Sequence, residues 1–333
     1  MFGKLSSPNP FLCGVGLGIA IGCVFYYNLF FLQAGNPPPK GGARHAATIQ
    51  HKIEQALEID GPKFLLVGGS SVGCGISARM ISQELSMPAY NFSFWASLGS
   101  PYILHLAKKV LKPGDTILLC LEYEILDWPG ISPYWLDQSF LRFVMSFDPK
   151  FIIEKTFIEK VWTAYSMPPG YILSGLTSWV GGRERINFDF YEDHNQFGDS
   201  IQMTVQNKNK NLQAYEARIR EPSDIFMTGF QGIPMGAKSV WEFLSWAEKN
   251  KVKVLATYPN LARNEKYSSA ENQRVSNQIT EMYRKYKIKP IGSSENSMYD
   301  QHLYYDTNYH LLVNGLEIRT KNLIKFICLK NQN

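Results

Sequence analysis

Two serines stand side by side in Val67-Gly68-Gly69-Ser70-Ser71-Val72-Gly73-Cys74-Gly75-Ile76, bracketed by glycines and preceded by an apolar run. A serine becomes a nucleophile when a sharp turn between strand and helix exposes its hydroxyl and presents backbone N–H groups to a developing oxyanion. This stretch fits that chemistry. It also fits a glycine-rich turn that only lets backbones pack closely, or one that binds phosphate. A Walker loop is excluded by the missing Lys-Ser/Thr ending, and the G-x-G-x-x-G spacing of dinucleotide binding is absent.

Near the other end of the chain, Tyr305-Asp306-Thr307-Asn308-Tyr309-His310-Leu311 puts a carboxylate and an imidazole on one segment, ahead of Asn314-Gly315. A carboxylate that fixes the tautomer of a histidine and stabilises its imidazolium turns that histidine into the base a serine needs. Of the six histidines, only His302 and His310 lie near this carboxylate. A histidine beside tyrosines is by itself an ordinary packed or surface residue, so its candidacy depends on the serine turn. The candidate catalytic set is Ser70, His310 and Asp306, with Ser71 as the alternative nucleophile.

These residues need a scaffold that brings residue 70 to residue 310. Lys63 to Val67 (KFLLV) has the length and apolar continuity of a buried parallel strand. His45 to Ile59 reads as a helix before it and Ser77 to Leu85 as one after it. Met87 to Phe92 and Asp115 to Leu121 read as further strands, with a helix over Pro101 to Leu111 between them and a turn at Lys112-Pro113-Gly114. This alternation predicts an α/β fold: a three-layer α/β/α sandwich of the SGNH or flavodoxin-like kind, with a parallel sheet of about five strands. From Trp128 to about Gly236 the alternation gives way to dense aromatics and prolines, which predicts a helical insertion over the C-terminal edge of the sheet. The rhythm then returns, with a helix over Ser239 to Asn250, a strand over Lys253 to Thr257, a helix over Ser269 to Tyr286 and a last helix ending at Ile327.

Before the α/β region, Phe11 to Leu32 carries no charge and is long enough to cross a bilayer as a helix. It lacks the short apolar core and A-x-A-like site of a cleaved signal, so an uncleaved anchor is expected. Residues 1–10 then form a short cytoplasmic tail, with Lys4 beside the span. Residues 33–44 form a linker whose Gly35 to Gly42 (GNPPPKGG) is a non-helical tether, and residues 45–330 form the main domain.

Taken together, the segments resemble the SGNH/GDSL hydrolase superfamily from about Lys63 to Ile327, apart from the insertion. In that family the serine block follows the first strand and the Asp/His block precedes the last helix. The likeness is to a membrane-anchored branch that resembles envelope-polysaccharide O-acetyltransferases and the teichoic acid D-alanyl transfer protein. There a Gly-Gly-Ser-Ser/Asn turn, a Pro-Gly-Asp strand ending in Glu-Tyr-Glu, and an Asp…His-Leu…Gly…Arg-Thr ending recur. This chain has Gly68-Gly69-Ser70-Ser71, Pro113-Gly114-Asp115 with Glu122-Tyr123-Glu124, and Asp306 to Thr320 in that order.

The resemblance implies a serine esterase or O-acyltransferase without a cofactor, acting on an acylated carbohydrate or acyl donor. It also implies a single-pass protein of the bacterial inner membrane with its catalytic domain outside the cytoplasm, and a membrane-bound acyltransferase or polysaccharide-export partner. Its oxyanion donors would be the N–H of Ser70 and one from Ala96 or Gly99. The chain departs from the family in three places. Asp306 and His310 are one residue further apart than usual, the second-block glycine has no clear counterpart, and the third-block Gly-x-Asn is missing. One lost oxyanion donor typically costs about 2.7–4 kcal/mol of barrier. That absence keeps a non-catalytic polysaccharide-binding or export-scaffold protein as the rival reading. Gly69-Ser70-Ser71-Val72-Gly73 also spells the G-x-S-x-G elbow of α/β-hydrolases, which would select Ser71. In that fold acid and histidine come from separate loops, whereas here they share one, and Ser70 is preferred.

Composition adds exclusions. The net charge of +5 is scattered rather than gathered into a basic run, so nucleic acid is not an expected partner. Five separated cysteines have neither a disulfide framework nor metal-ligand spacing, so no metal is expected.

Overall fold

A computed structural model describes residues 9–35, 41–127, 138–170, 172–173, 194–208, 212–223, 225, 229–230 and 235–331. The chain divides into two compact units. One comprises 1–43, 132–134 and 138–187, and the other 44–131, 135–137 and 188–333. The insertion expected over 128–236 is thus shared between them: 138–187 clusters with the N-terminal segment, and 188–236 with the α/β unit.

The first unit opens with α1 (Pro10–Leu32), whose start is set by Asn9 accepting from the Phe11 N–H at 3.0 Å and by proline at the first helical position. Phe11–Leu32 is long and apolar enough to cross a membrane.

Next comes α2 (Gly41–Glu58), with the second unit starting at Arg44 inside it; α2 begins four residues earlier than expected, so Gly41 and Gly42 are helical rather than part of a tether. Residues 36–40 of the expected tether lie outside the described residues. There follow β1 (Phe64–Gly68), the single turn α3 (Ser70–Gly73), α4 (Ala78–Leu85), β2 (Ala89–Asn91), α5 (Gly99–Val110), β3 (Thr116–Cys120) and the short α6 (Tyr123–Leu126). Every residue of β1 is buried, and every residue of β3 too, as their unbroken apolar runs require of parallel strands covered on both faces.

Back in the first unit, α7 (Gln138–Phe147), α8 (Pro149–Ile153) and α9 (Phe157–Ser166) follow. Thr156 and Glu159 form a reciprocal capping box at the start of α9. The chain returns to the second unit with α10 (Val205–Lys208), α11 (Leu212–Ile219), α12 (Met235–Lys249), β4 (Lys253–Ala256), β5 (Leu261–Ala262), α13 (Ser269–Arg284), β6 (Met298–Tyr299) and α14 (Val313–Asn331).

The main sheet is parallel, in the order β2-β1-β3-β4, with Leu65 opposite Tyr90 on one side and Ile117 on the other. It has four strands where about five were expected. A fifth is reduced to a single parallel bridge between Thr257 and Ile291. Pro290 has no N–H to extend the ladder, the Thr257 hydroxyl takes the Ile291 carbonyl at 2.9 Å, and Gly292 at φ +79° turns the chain away. Across the core, Leu66, Val72, Ile76, Ile81 and Leu118 pack with Leu323, Ile324 and Ile327 of α14. Each such side chain contributes about 1.5–3 kcal/mol by leaving water.

At the start of the strands, the buried Asp115 carboxylate accepts from the Lys63 ammonium at 2.9 Å, the Lys63 N–H at 3.0 Å and the Lys112 N–H at 2.7 Å. The Pro-Gly-Asp motif is therefore a staple between β1 and β3. Because β2 lies on one side of β1 and β3 on the other, the chain reverses its progress across the sheet there. Such a switch point opens a crevice beyond the C-terminal ends of β1 and β3.

Candidate active site

Ser70 is the second residue past the crevice-side end of β1, after Gly69. A Cβ at Gly68 would strike the Cys120 carbonyl, and one at Gly69 would strike the carboxylate of Glu122, so the close approach of β1 to β3 requires glycine at both positions. The carboxylate of Glu122 fills the space this leaves, accepting from the Gly69 N–H at 3.0 Å and the Ser71 N–H at 2.7 Å. The Ser70 N–H lies between these two donors and has no acceptor among the described residues.

The last segment brings the base. Leu311 pairs with Tyr304 in an antiparallel bridge, and the Tyr305 N–H donates to the His310 carbonyl at 2.7 Å. The loop between them is therefore closed at its base. The Ala262 N–H donates to the Asn308 carbonyl at 2.8 Å, and Asn260 donates to the Tyr309 carbonyl. Held in this way, His310 lies with Nε2 2.8 Å from Ser70 Oγ and Nδ1 2.7 Å from Asp306 Oδ1. The extra residue between Asp306 and His310 is absorbed in the closed loop and does not separate them. His310 and Asp306 are each about one-fifth exposed, and Ser70 is half-buried. Ser71 is fully buried and its N–H is committed to Glu122; the alternative nucleophile is not the serine that meets His310.

The two candidates for a second oxyanion donor differ in whether their N–H is engaged. The Phe94 N–H donates to the Gly68 carbonyl at 3.2 Å, which lays the loop after β2 along the end of β1. Gly99, at φ +69°, spends its N–H on the Ala96 carbonyl, so it is not a free donor. The Ala96 N–H has no acceptor among the described residues, and Ala96 is half-buried.

Besides Glu122, three buried charged side chains hold this arrangement: Arg319, Lys52 and Asp199. Arg319 in α14 is buried. It donates to the Ser71 carbonyl at 3.3 Å, the Tyr258 carbonyl at 3.0 Å, Cys120 Sγ at 3.1 Å and Asn260 Oδ1. Ser71 is therefore gripped at its N–H by Glu122 and at its carbonyl by Arg319. Lys52 in α2 is buried and donates to the carbonyls of Asn91, Ser93 and Gly198 at 2.9, 3.1 and 3.2 Å. Asp199 caps α4, accepting from the Ala78 and Arg79 N–H groups at 2.7 and 3.2 Å and from the Ser77 hydroxyl at 2.9 Å. This gives Asn195-Gln196-Phe197-Gly198-Asp199 a structural role.

Burial dominates the electrostatics. It raises the pKa of Glu122 above the usual carboxylate range, opposed by the hydrogen bonds from Ser71, and it lowers the Lys52 ammonium to about 7, opposed by nearby Asp199. Burial pushes the Cys74 thiol up to about 12, which leaves it a poor nucleophile beside the serine turn. Next to His310, the Tyr309 hydroxyl donates to Glu124 at 2.6 Å and burial raises its pKa well above the usual range.

Among the described residues, no group of three His, Cys, Asp or Glu side chains is placed to hold a metal ion. Two surface clefts, one running from Gln55 to Phe197 and one from Ser77 to Glu317, include none of Ser70, Asp306 or His310. The chemistry available at the triad is transfer of a proton from Ser70 to His310 as the hydroxyl attacks an electrophilic carbon, with the imidazolium stabilised by Asp306. In comparison with known proteins, no family model matches the chain and no curated protein matches it.

Proposed function

We propose that this chain is a membrane-anchored serine esterase or O-acyltransferase of the SGNH type. The observation that carries the reading is the Ser70–His310–Asp306 chain of hydrogen bonds at 2.8 and 2.7 Å, built from segments 240 residues apart. The placement of Ser70 at the switch point of a parallel sheet supports it, as does the free N–H of Ser70. We take helices to cover both faces of the sheet, as in a three-layer sandwich, and Phe11–Leu32 to cross the bacterial inner membrane with the α/β unit outside the cytoplasm.

In this mechanism Ser70 Oγ attacks an ester carbonyl while His310 Nε2 takes its proton, and the Ser70 and Ala96 N–H groups bind the oxyanion. Collapse of the tetrahedral adduct expels the alcohol, which recovers the proton from His310, and leaves an acyl-Ser70. Water then releases the acid, or a sugar hydroxyl takes the acyl group. The resemblance to envelope-polysaccharide acyltransferases supports an acylated carbohydrate as one partner of the exchange, and a membrane-bound acyltransferase as a supplier of acyl groups.

Glu122 is the observation that favours a second reading, a polysaccharide-binding or export scaffold. It stands where the family places an oxyanion donor, yet a carboxylate accepts. A fluorophosphonate probe separates the two, because it labels only an activated serine. The catalytic reading expects a single adduct, mapped by peptide mass to Ser70; absence of any adduct on folded protein favours the scaffold.

A further inference from the structure

In α9 the usual arrangement of a surface helix is inverted. Phe157, Ile158, Trp162 and Tyr165 are 69, 68, 53 and 42% exposed, while Thr163 and Ala164 are buried. At 100° per residue the four large side chains fall on one side of the helix. A stripe of this kind facing water costs hydrophobic free energy along its whole length.

The contacts of α9 say what covers it. Phe157 packs against Tyr27 with ring centroids 6.2 Å apart, Tyr165 stacks on Tyr26 at 5.8 Å, and the Tyr165 hydroxyl donates to the Cys23 carbonyl at 2.7 Å. The Tyr26 hydroxyl donates to the Met167 carbonyl. Phe157 and Tyr165 are about 12 Å apart along α9, yet they meet α1 between Cys23 and Tyr27, about 6 Å apart along its axis. So α9 is inclined to α1 rather than aligned with it. With α1 along the bilayer normal, a helix inclined in this way runs closer to the bilayer plane than to the normal.

The dimensions of α1 agree. Its side chains are exposed from Phe11 to Phe25, whereas Tyr26, Tyr27 and Phe31 are half-covered and Phe30 and Gln33 are buried. Exposure on all sides ends at Phe25, about 22 Å along at 1.5 Å per residue and short of a hydrocarbon core of about 30 Å; beyond it Asn28 and Leu32 remain exposed on one side. A helix about 10 Å across, laid over the end of that stretch with its apolar side outward, supplies the remainder. Trp162, Tyr165, Tyr26 and Tyr27 then form an aromatic group of the kind enriched at the membrane–water boundary.

We propose that α9 is an in-plane membrane helix that seats Phe157, Ile158, Trp162 and Tyr165 among the acyl chains of one leaflet. The protein would thus hold the bilayer by a span and a lateral helix together. The proposal rests on the reading of Phe11–Leu32 as a membrane span, and its test separates the two. A photoreactive benzophenone amino acid is placed in turn at Leu17, Ile158 and Trp162 of the full-length chain, reconstituted in phosphatidylethanolamine/phosphatidylglycerol vesicles, and adducts are identified by mass after irradiation. Phospholipid adducts from all three positions, at comparable yield, are expected. Lipid from position 17 with a loss of lipid adducts at 158 and 162 would overturn the lateral helix and leave the span standing; crosslinks from 158 and 162 to protein alone would reassign this face to a partner or a second copy. Loss of lipid adducts at all three would remove the span, and the proposal with it.

Discussion

The carboxylate of Glu122 sits 2.7 Å from the N–H of Ser71 and also accepts from Gly69, so it pins the backbone on both sides of Ser70 and leaves the Ser70 N–H unengaged. A third-block donor is missing here, but the residue in its place fixes the donor that precedes it. The turn that carries the nucleophile is held by Glu122, just past β3, and by Arg319 of α14 rather than by its own four residues.

Glu122→Gln tests this. The amide keeps one acceptor oxygen but turns an NH2 group toward one of the two N–H donors, so a buried hydrogen bond is replaced by a donor–donor clash. A stability loss of about 1–3 kcal/mol in urea unfolding is expected, with ester turnover falling further than the unfolded fraction accounts for. Full turnover in the variant would show that the turn holds without this carboxylate.

Arg319→Lys should not rescue Arg319→Met. Nη1 of the guanidinium donates to the Ser71 carbonyl and the Asn260 side chain and Nη2 to the Tyr258 carbonyl, a spread a single ammonium cannot match. Both variants should lose about 2 kcal/mol or more in urea unfolding. Lysine at wild-type stability would mean that only the charge matters.

Lys52 predicts a pH signature. Its folded pKa of about 7 lies below an unfolded value of about 10.4, so between them the unfolded chain binds the extra proton and stability rises with pH. The contribution is lowest below about pH 7 and complete only above about pH 10. Unfolding curves for wild type and Lys52→Met at about pH 7 and about pH 9.5 should therefore diverge by a few kcal/mol as pH rises, the wild type gaining. Parallel pH dependence in the two proteins would contradict a buried, depressed lysine.

Asp306→Asn should leave the fold unchanged, since its 2.7 Å bond is to a partly exposed histidine, while lowering turnover by about 10⁴-fold through loss of the tautomer that points a lone pair at Ser70. Near-normal kcat/KM in this variant would show that the orienter is another group.

The strands β1 and β3, the serine turn and the Asp306–His310 pair were legible because each has a local signature: an unbroken apolar run, a glycine bracket, an acid and a base on one segment. Their meeting followed from the rule that parallel strands deliver their C-terminal ends to one edge. Glu122, Arg319 and Lys52 were not legible as supports, because their partners are mainly backbone atoms, which carry no sequence signal, and a charged residue reads as exposed until its burial is seen. Gly99 was a candidate donor until its positive φ and its bond to Ala96 showed the N–H already spent. The grouping of 138–187 with the N-terminal helix depends on contacts such as Tyr26 to Met167, across 141 residues, which periodicity does not reveal.

The most direct test of the central claim is turnover of p-nitrophenyl acetate by wild type, Ser70→Ala and Ser71→Ala, measured beside fluorophosphonate labelling. Ser70→Ala should lose both, because the hydroxyl that meets His310 Nε2 at 2.8 Å is gone, while Ser71→Ala, whose buried side chain lies off that path, should keep most of both. Activity that survives Ser70→Ala and disappears in Ser71→Ala would transfer the role to Ser71, and unchanged activity in both variants would contradict the serine-nucleophile account altogether.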